Sequence, residues 1–455
     1  MSEQLLGSCG PGRLYVRTLG CQMNEYDSLQ VLRQFAALGY TPVEDIARAD
    51  VIFLNTCSVR GKAEQKVHSF LGSLRRLKQA NPNLKIIAGG CVAQQSGKKL
   101  LDRFDHLDMV VGTSAVNRIG KLFQNLLDSG TRGAFVHEEA SFAGFDFELK
   151  TAHGSITAPL TIMRGCDNHC AYCIVPSVRG PEKSRRPGEI LEEIGLLERS
   201  GVKEVLLLGQ NVNSYGRGLE ETISFADLLR RIVSETGLSR IRFTTSHPKD
   251  LTEALMLCFA ELGPLCKFLH LPVQAGSDRV LARMNRGYTA EAYLEKVARL
   301  RRTCPEIALS SDVIVGFPGE TEQDFRKTME LIEEVRFDNL FSFCYSDRPN
   351  TRASGFADKV DPETASARLF ELQGRQAEIT LGKNLAEVGS IREVLVEGPS
   401  KASNGQMSGR TSQNKIVNFE APVSSTGKIL EVRIDFAYSH SLGGEAISAG
   451  GEKGR

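Results

Sequence analysis

The sequence predicts an α/β protein of three parts: an N-terminal parallel sheet domain, a partial (β/α)6 barrel and a small C-terminal antiparallel β-barrel. From residue 13 to about residue 383, short apolar runs alternate with amphipathic segments of helix length, which is typical of parallel sheets covered by helices. The larger, second part of this region contains six such runs, fewer than the eight strands of a closed barrel. After Leu385 the helical period gives way to β-like runs between turn signals.

The composition excludes several classes of protein. A chain of 455 residues with 41% hydrophobic and 24% charged residues is typical of a soluble multidomain protein. No segment approaches the roughly 18 apolar residues of a membrane span, and residues 1–12 lack the basic-then-apolar pattern of a secretory signal. Eleven cysteines without such a signal indicate a reducing compartment. We therefore expect a cytoplasmic protein that makes no membrane contact.

Residues 13–130 form the first predicted domain, which has a strand-then-helix pattern. Its main helices are predicted at about residues 25–38 and 62–80, and each is followed by a helix-ending Gly or Pro. Its strands are predicted at Leu14–Thr18, Val51–Leu54, Lys85–Ala88 and Met109–Val111. Residues 131–157 show no clear period, so we interpret them as a linker.

Three cysteines of this domain, Cys21, Cys57 and Cys91, each follow a predicted strand within three residues. Because parallel strands present their carboxyl ends along one edge of a sheet, the three loops are expected to converge in one crevice. Three convergent thiolates predict an iron–sulfur cluster in which one iron lacks a protein ligand. The alternative is three ordinary buried cysteines, which are common one by one.

Residues 158–383 form the second predicted domain, the partial barrel. Its six strands are predicted at Leu160–Met163, Val205–Leu208, Ile241–Thr245, Phe268–Leu271, Asp312–Val315 and Leu340–Cys344. In parallel barrels the chemistry lies at the carboxyl ends of the strands. A second set of cysteines, Cys166, Cys170 and Cys173, follows the first strand, where this rule places a site.

The spacing of this second set is C-x3-C-x2-C. A structural zinc site needs four closed ligands and usually draws two of them from one C-x2-C knuckle, so this spacing does not fit one. Three soft thiolates on one short loop suit an iron–sulfur cube with one open iron. The alternative is three buried structural cysteines on a loop.

Residues 385–447 form the third predicted domain. Its strands are predicted at Ile391–Val396, Lys415–Phe419 and Ile429–Phe436, which is enough for a small barrel of the oligonucleotide-binding type. The tail, 448–455, is rich in Gly and predicted to be disordered.

A basic run lies between the second cysteine set and the next helix. It contains Arg179, Lys183, Arg185 and Arg186 against a single acid. The run is a candidate to bind RNA phosphates; the alternative is a solvated loop. The net charge of +1 does not by itself favour nucleic acid.

These motifs together resemble the methylthiotransferase family of radical S-adenosylmethionine enzymes, whose members carry a C-terminal TRAM domain. The resemblance covers about residues 13–447, and the segments Thr18–Ser28, Leu208–Gly216 and Gly409–Thr411 are similar to the tRNA-modifying branch called MiaB. That branch converts N6-isopentenyladenosine at position 37 of tRNA to its 2-methylthio derivative. The alternatives are branches that act on N6-threonylcarbamoyladenosine or on a ribosomal protein aspartate, and, outside the family, a non-catalytic Fe–S RNA-binding protein.

The resemblance implies two 4Fe–4S clusters and two molecules of S-adenosylmethionine per turnover. One cofactor molecule donates a methyl group to sulfur at the cluster on Cys21, Cys57 and Cys91. The other is cleaved to a 5′-deoxyadenosyl radical at the cluster on the second cysteine set. The implied partners are the anticodon loop of tRNA, an electron donor such as a flavodoxin-like protein, and the Fe–S assembly machinery.

The resemblance also implies roles for residues around the cofactor and the RNA. Beyond the cysteines it assigns no catalytic residue. Ser246 and His247, at the third strand end, are candidates to reach the substrate. The implied cofactor-binding residues are Tyr172, Gln210, Asn211 and Glu320, and the implied RNA-binding residues of the third domain are Arg410 and Lys415.

Overall fold

The computed structural model describes residues 12–58, 61–136, 155–401 and 405–447, with the backbone alone at 61–63. The predicted tail, 448–455, and most of the predicted linker lie outside these residues. The chain divides into two compact units. The first contains the described residues up to 136 together with 164–167 and 174–182, and the second contains the rest.

The first unit is a parallel sheet with helices on both faces. Its elements are β1 (Arg13–Leu19), α1 (Gln22–Ala37), β2 (Thr41–Pro42), β3 (Val51–Thr56), α2 (Gly61–Ala80), β4 (Lys85–Gly90), α3 (Cys91–Ser96), α4 (Lys98–Arg103), β5 (Met109–Val111), α5 (Ile119–Ser129), β6 (Gly133–Phe135) and, from a later segment, α6 (Val175–Arg179).

All six strands of this sheet run parallel in the order β2-β1-β3-β4-β5-β6. Alternate residues of β3 enter different cores: Ile52 and Leu54 pack on one face, and Val51 and Phe53 on the other. The four predicted strands are confirmed. The prediction missed both edge strands, and β6 lies inside the predicted linker, because edge strands of two or three residues show no periodicity.

The second unit contains the partial barrel and the C-terminal barrel. Its elements up to the barrel's last strand are β7 (Thr157–Thr161), β8 (Met163–Arg164, which straddles the two units), β9 (Lys183–Ser184), α7 (Pro187–Arg199), β10 (Glu204–Leu208), α8 (Phe225–Glu235), β11 (Arg240–Phe243), α9 (Glu253–Glu261), β12 (Phe268–His270), α10 (Asp278–Arg283), α11 (Ala290–Thr303), β13 (Ala308–Val315), α12 (Glu322–Val335) and β14 (Asn339–Cys344).

The six predicted barrel strands are confirmed as β7, β10, β11, β12, β13 and β14. They form two parallel three-stranded sheets, β7-β10-β11 and β12-β13-β14, linked by a single parallel pairing of Ile241 with Leu265. Their outer faces pack on the surrounding helices in one continuous core. Within the described residues no pairing joins β7 to β14, so the barrel is open on one side.

Helix α13 (Pro362–Leu385) leads into a closed five-stranded barrel. Its strands are β15 (Ile391–Pro399), β16 (Met407–Thr411), β17 (Ile416–Glu420), β18 (Ile429–Ala437) and β19 (Leu442–Ala446). The predicted barrel is confirmed, with one correction: β17 pairs with β19 in parallel, so the barrel is not antiparallel throughout. The sequence did not predict β16 and β19 because their glycines lower β-propensity. No helix in the described ranges is long and apolar enough to cross a membrane.

Candidate functional site

Three cysteines lie at the carboxyl edge of the first unit's sheet. The last paired residues of β1, β3 and β4, namely Leu19, Thr56 and Gly90, stand side by side in the sheet. Cys57 and Cys91 follow their strands immediately, and Cys21 follows at the start of α1. Adjacent parallel strands therefore bring the three thiols to one stretch of the edge, as the spacing predicted.

A buried hydrogen-bond network fixes these loops. The Asn24 amide donates to Asn55 Oδ1 at 2.7 Å and to the Thr56 carbonyl at 3.0 Å, and the Asn55 amide donates back to the Asn24 carbonyl at 2.8 Å. At Gly90 the backbone has φ +92°, and a Cβ there would lie 2.4 Å from Asn55 Oδ1. Only glycine fits this turn without strain.

The electrostatic surroundings favour a thiolate at the edge. A hydrogen bond with Cys57, together with the charge of Arg179, lowers the pKa of Cys21 to about 6. Burial raises the pKa of Cys91, and Arg179 opposes that rise. Low thiol pKa values near positive charge mark cysteines that act as metal ligands or nucleophiles.

Asp27 anchors the positive charge beside these thiols. Its side chain is fully buried and forms ion pairs with Arg164 at 3.0 Å and with Arg179 at 2.9 Å. One carboxylate between two buried guanidinium groups leaves an excess positive charge next to Cys21 and Cys91. This charge suits a negatively charged group at the edge of the sheet.

We expect Asp27→Asn to lower the free energy of unfolding by about 3–5 kcal/mol, because it leaves two buried cations without their carboxylate. Urea unfolding of the metal-free protein measures this change. Asp50→Asn is the control, since the Asp50 pair with Arg13 at 3.0 Å is exposed and screened by water. A loss no larger for Asp27→Asn than for Asp50→Asn would contradict this role.

The donors at this edge are all sulfur, a donor type that suits iron–sulfur clusters. Among the described residues, no three Cys, His, Asp or Glu side chains converge on one metal position. The ten described cysteines form no disulfide, which leaves their thiols available for metal.

The second cysteine set lies on the loop after β7 and β8. Cys166 belongs to the first unit, where its N–H donates to the Gly180 carbonyl at 3.2 Å. Cys170 and Cys173 belong to the second unit and close a turn, in which the Cys173 N–H donates to the Cys170 carbonyl at 3.0 Å. The sequence therefore placed this loop correctly at the carboxyl end of the first barrel strand.

Neighbouring loops of the second unit hold this turn in place. Lys249 donates to Asn168 Oδ1 at 2.7 Å, and the Asn285 amide donates to the His169 carbonyl at 2.8 Å. The Ala171 N–H donates to the Met284 carbonyl at 2.8 Å. These bonds fix the backbone around Cys170, as a cluster-binding loop requires.

Arg286 is a residue of this site that the sequence analysis missed. Its guanidinium contacts Cys170 Sγ at 3.4 Å and the Tyr172 hydroxyl at 3.3 Å. It also donates to the Tyr288 hydroxyl at 2.9 Å and to the Pro272 carbonyl at 2.6 Å. A lone arginine between two helices gives no signal in the sequence, because only the fold brings it beside the cysteine loop.

Polar atoms without partners gather at the carboxyl ends of β10, β11 and β12. Asn211 donates to Asp250 at 2.7 Å, but its Oδ1 is buried without a hydrogen bond in the described structure. The same is true of Ser246 Oγ, His247 Nε2 and Gln274 Oε1. Buried polar atoms of this kind usually bind water or a ligand. These strand ends are therefore candidates to hold a polar ligand.

Glu320, a predicted cofactor-binding residue, lies in a buried ion pair at the end of β13. Its Oε1 accepts from the Gly316 N–H and from Arg368, both at 2.9 Å. Burial raises the pKa of this carboxyl, and the Arg368 charge opposes that rise. Glu320 therefore links the end of β13 to α13.

Four of the predicted RNA-binding side chains have partners inside the protein. Arg179 pairs with Asp27, and fully buried Arg185 pairs with Glu193 at 2.7 Å.

The two predicted RNA-binding residues of the C-terminal barrel also have partners. Arg410 pairs with Glu397 at 3.1 Å, and Lys415 donates to Asn384 at 2.7 Å. Only Lys183 and Arg186 of the predicted set are exposed. The sequence could not show which of these basic side chains are exposed, because burial depends on the fold.

The hairpin between β16 and β17 docks the C-terminal barrel onto the partial barrel. Arg240 donates to the Arg410 carbonyl and, at 3.0 Å, to the Glu393 carbonyl. Arg242 donates to the Thr411 carbonyl at 3.2 Å. Arg240 is the first residue of β11. The contact between the two barrels therefore lies at the amino ends of the partial barrel's strands, opposite the cysteine loop at their carboxyl ends.

Three family models match the chain. They are described as Uncharacterized protein family UPF0004, over residues 13–112, Radical SAM superfamily, over 160–332, and TRAM domain, over 385–447.

Known relatives match nearly the whole chain. A protein of Syntrophobacter fumaroxidans, named tRNA-2-methylthio-N(6)-dimethylallyladenosine synthase, is 63% identical over 97% of this chain and 97% of its own length. A protein of the same name from Geobacter metallireducens is 49% identical over 96% of this chain and 98% of its own. Among solved structures, the radical S-adenosylmethionine methyltransferase TsrM of Kitasatospora setae matches with a TM-score of 0.55 and 14% identity, covering 76% of this chain and 77% of that chain. That likeness supports the fold.

Proposed function

This chain belongs to the family of the tRNA-2-methylthio-N6-dimethylallyladenosine synthases, and we propose that it methylthiolates C2 of N6-isopentenyladenosine at position 37 of tRNA. It is a radical S-adenosylmethionine enzyme, and its family implies a 4Fe–4S cluster and S-adenosylmethionine. The observation that carries the proposal is the pair of cysteine triplets, one at the sheet edge of the first unit and one on the loop after the first barrel strand.

The chemistry explains why two cysteine sets are needed. C2 of adenine is not acidic, so no side-chain base removes its hydrogen, whereas a carbon radical does. The cofactor and its cluster supply that radical, and the protein supplies binding and orientation. In this proposal Cys166, Cys170 and Cys173 hold the radical cluster. Cys21, Cys57 and Cys91 hold a second cluster, at which a second S-adenosylmethionine methylates the transferred sulfur.

Other residues of the second unit bind the cofactor. The buried, unpartnered Oδ1 of Asn211 supports its binding of a cofactor N–H group. Tyr172 follows Cys170 on the same loop, and we assign its ring to the adenine side of the cofactor. Gln210 precedes Asn211 at the same strand end and completes the proposed cofactor set.

The RNA partner is the anticodon loop, whose bases can be splayed out and flipped into a protein site. We assign phosphate contacts to Lys183 and Arg186, which are exposed. The enzyme works in the cytoplasm with a one-electron donor of the flavodoxin type, and Fe–S assembly proteins load its clusters.

The substrate prediction rests on the prenyl group. An isopentenyl tail adds apolar surface worth about 25 cal/mol per Å² when buried. We expect turnover at least tenfold poorer on an unprenylated transcript, a factor equal to about 1.4 kcal/mol. The assay uses reconstituted protein with S-adenosylmethionine and reductant under anaerobic conditions, and mass spectrometry of the nucleosides detects the product.

Controls separate the alternatives. Cys170→Ala with the prenylated transcript should give no product. Equal turnover on both transcripts, or activity only on threonylcarbamoylated tRNA or a ribosomal protein, would overturn the branch assignment. Absence of both 5′-deoxyadenosine and methionine release would indicate a non-catalytic Fe–S protein instead.

A further inference from the structure

Arg286 is a buried cation that no carboxylate in the described structure neutralises. Only 4% of its surface is exposed. Its partners are the Pro272 carbonyl, the hydroxyls of Tyr172 and Tyr288, and Cys170 Sγ at 3.4 Å. Charged groups in protein interiors are normally paired, because desolvation of a lone charge is costly.

Three other buried arginines of the second unit have carboxylate partners. Arg185 pairs with Glu193 at 2.7 Å, Arg242 with Glu204 at 3.2 Å and Arg368 with Glu320 at 2.9 Å. Arg286 thus lacks the compensating anion that these three possess. A negatively charged group bound beside Arg286 would supply that anion.

Among the atoms that contact Arg286, the sulfur of Cys170 is the one that the proposed function assigns to an iron–sulfur cluster. A cysteine that ligates iron is a thiolate, and a cube held by three thiolates carries net negative charge. A cluster bound at Cys170 would therefore supply the negative charge that Arg286 lacks.

We propose that Arg286 is a positioning residue whose fixed charge and N–H···S hydrogen bond raise the reduction potential of the cluster held by Cys170. This inference rests on the cluster assignment of the proposed function. One-electron reduction adds one negative charge to the cluster, so a cation at 3.4 Å from a ligand sulfur stabilises the reduced state more than the oxidised state. Hydrogen bonds to the sulfurs and net charge are known levers on such potentials.

The test measures the midpoint potential of this cluster in full-length protein without S-adenosylmethionine. Cys21, Cys57 and Cys91 are all replaced by Ala, so that one cluster contributes to the signal. A dithionite titration followed by electron paramagnetic resonance gives the potential. For Arg286→Gln we expect the ratio of reduced to oxidised cluster at a given applied potential to fall at least tenfold. For a one-electron couple, that change equals a midpoint potential lower by 59 mV. Arg286→Lys keeps the positive charge but loses the planar guanidinium group. Its midpoint potential should therefore lie between that of the protein with Arg286 and that of Arg286→Gln.

Arg240→Gln is the matched control. Arg240 is also 4% exposed and donates to carbonyls, but it lies at the amino ends of the barrel strands. Its replacement should leave the potential unchanged.

Four results would overturn the inference. The first is an unchanged potential in Arg286→Gln. The second is weaker S-adenosylmethionine binding without a shift, which would make Arg286 a cofactor-carboxylate ligand. The third is loss of the cluster from both Arg286 variants but not from Arg240→Gln, which would make its role structural. The fourth, a parent protein that takes up no iron, refutes the cluster assignment itself.

Discussion

Replacing Cys57 with Ala is expected to abolish methylthiolation of tRNA while leaving reductive cleavage of S-adenosylmethionine intact. Cys57 follows β3 at the sheet edge of the first unit, beside Cys21. Its loss removes one of three ligands of the proposed sulfur-donating cluster. The radical cluster keeps its own three cysteines, so release of 5′-deoxyadenosine should continue.

Cys170→Ala is expected to show the converse. It should lose 5′-deoxyadenosine formation but retain methyl transfer from S-adenosylmethionine to cluster sulfur. Iron analysis of each anaerobically reconstituted variant serves as the control, and each should hold about half the iron of the unchanged protein. Equal loss of both half-reactions in both variants would show that the clusters fold or act as one unit, and the division of labour would fail.

The sequence predicted the strands that bear the site because their signal is local. Buried parallel strands such as β3 and β4 read as continuous apolar runs, and each cysteine follows such a run at a fixed short distance. Parallel topology then determines that the strand ends share one edge. The position of Cys21, Cys57 and Cys91 at that edge therefore follows from pattern and topology alone.

The sequence could not predict the surroundings of the charged side chains, because these depend on contacts between residues that are far apart in the chain. Arg286 lies 116 residues from Cys170 along the chain, and only the fold brings their side chains together. Arg185 looked like a phosphate ligand because its neighbours are basic, yet tertiary packing buries it against Glu193. Glu320 likewise pairs with Arg368, on a helix 48 residues away in sequence. Charge in a sequence does not reveal whether a side chain faces solvent.

The measurement that tests the central claim most directly is mass spectrometry of tRNA nucleosides from a bacterial strain that has lost its own enzyme for this modification. Expression of this chain should restore 2-methylthio-N6-isopentenyladenosine, whereas expression of the Cys170→Ala variant should leave only N6-isopentenyladenosine. The effect is expected to be all or none, because Cys170 is a proposed ligand of the cluster that would supply the radical, and a side-chain base cannot replace that radical at C2. Unmethylthiolated nucleoside in both strains, with both proteins present at equal amounts, would contradict the assignment.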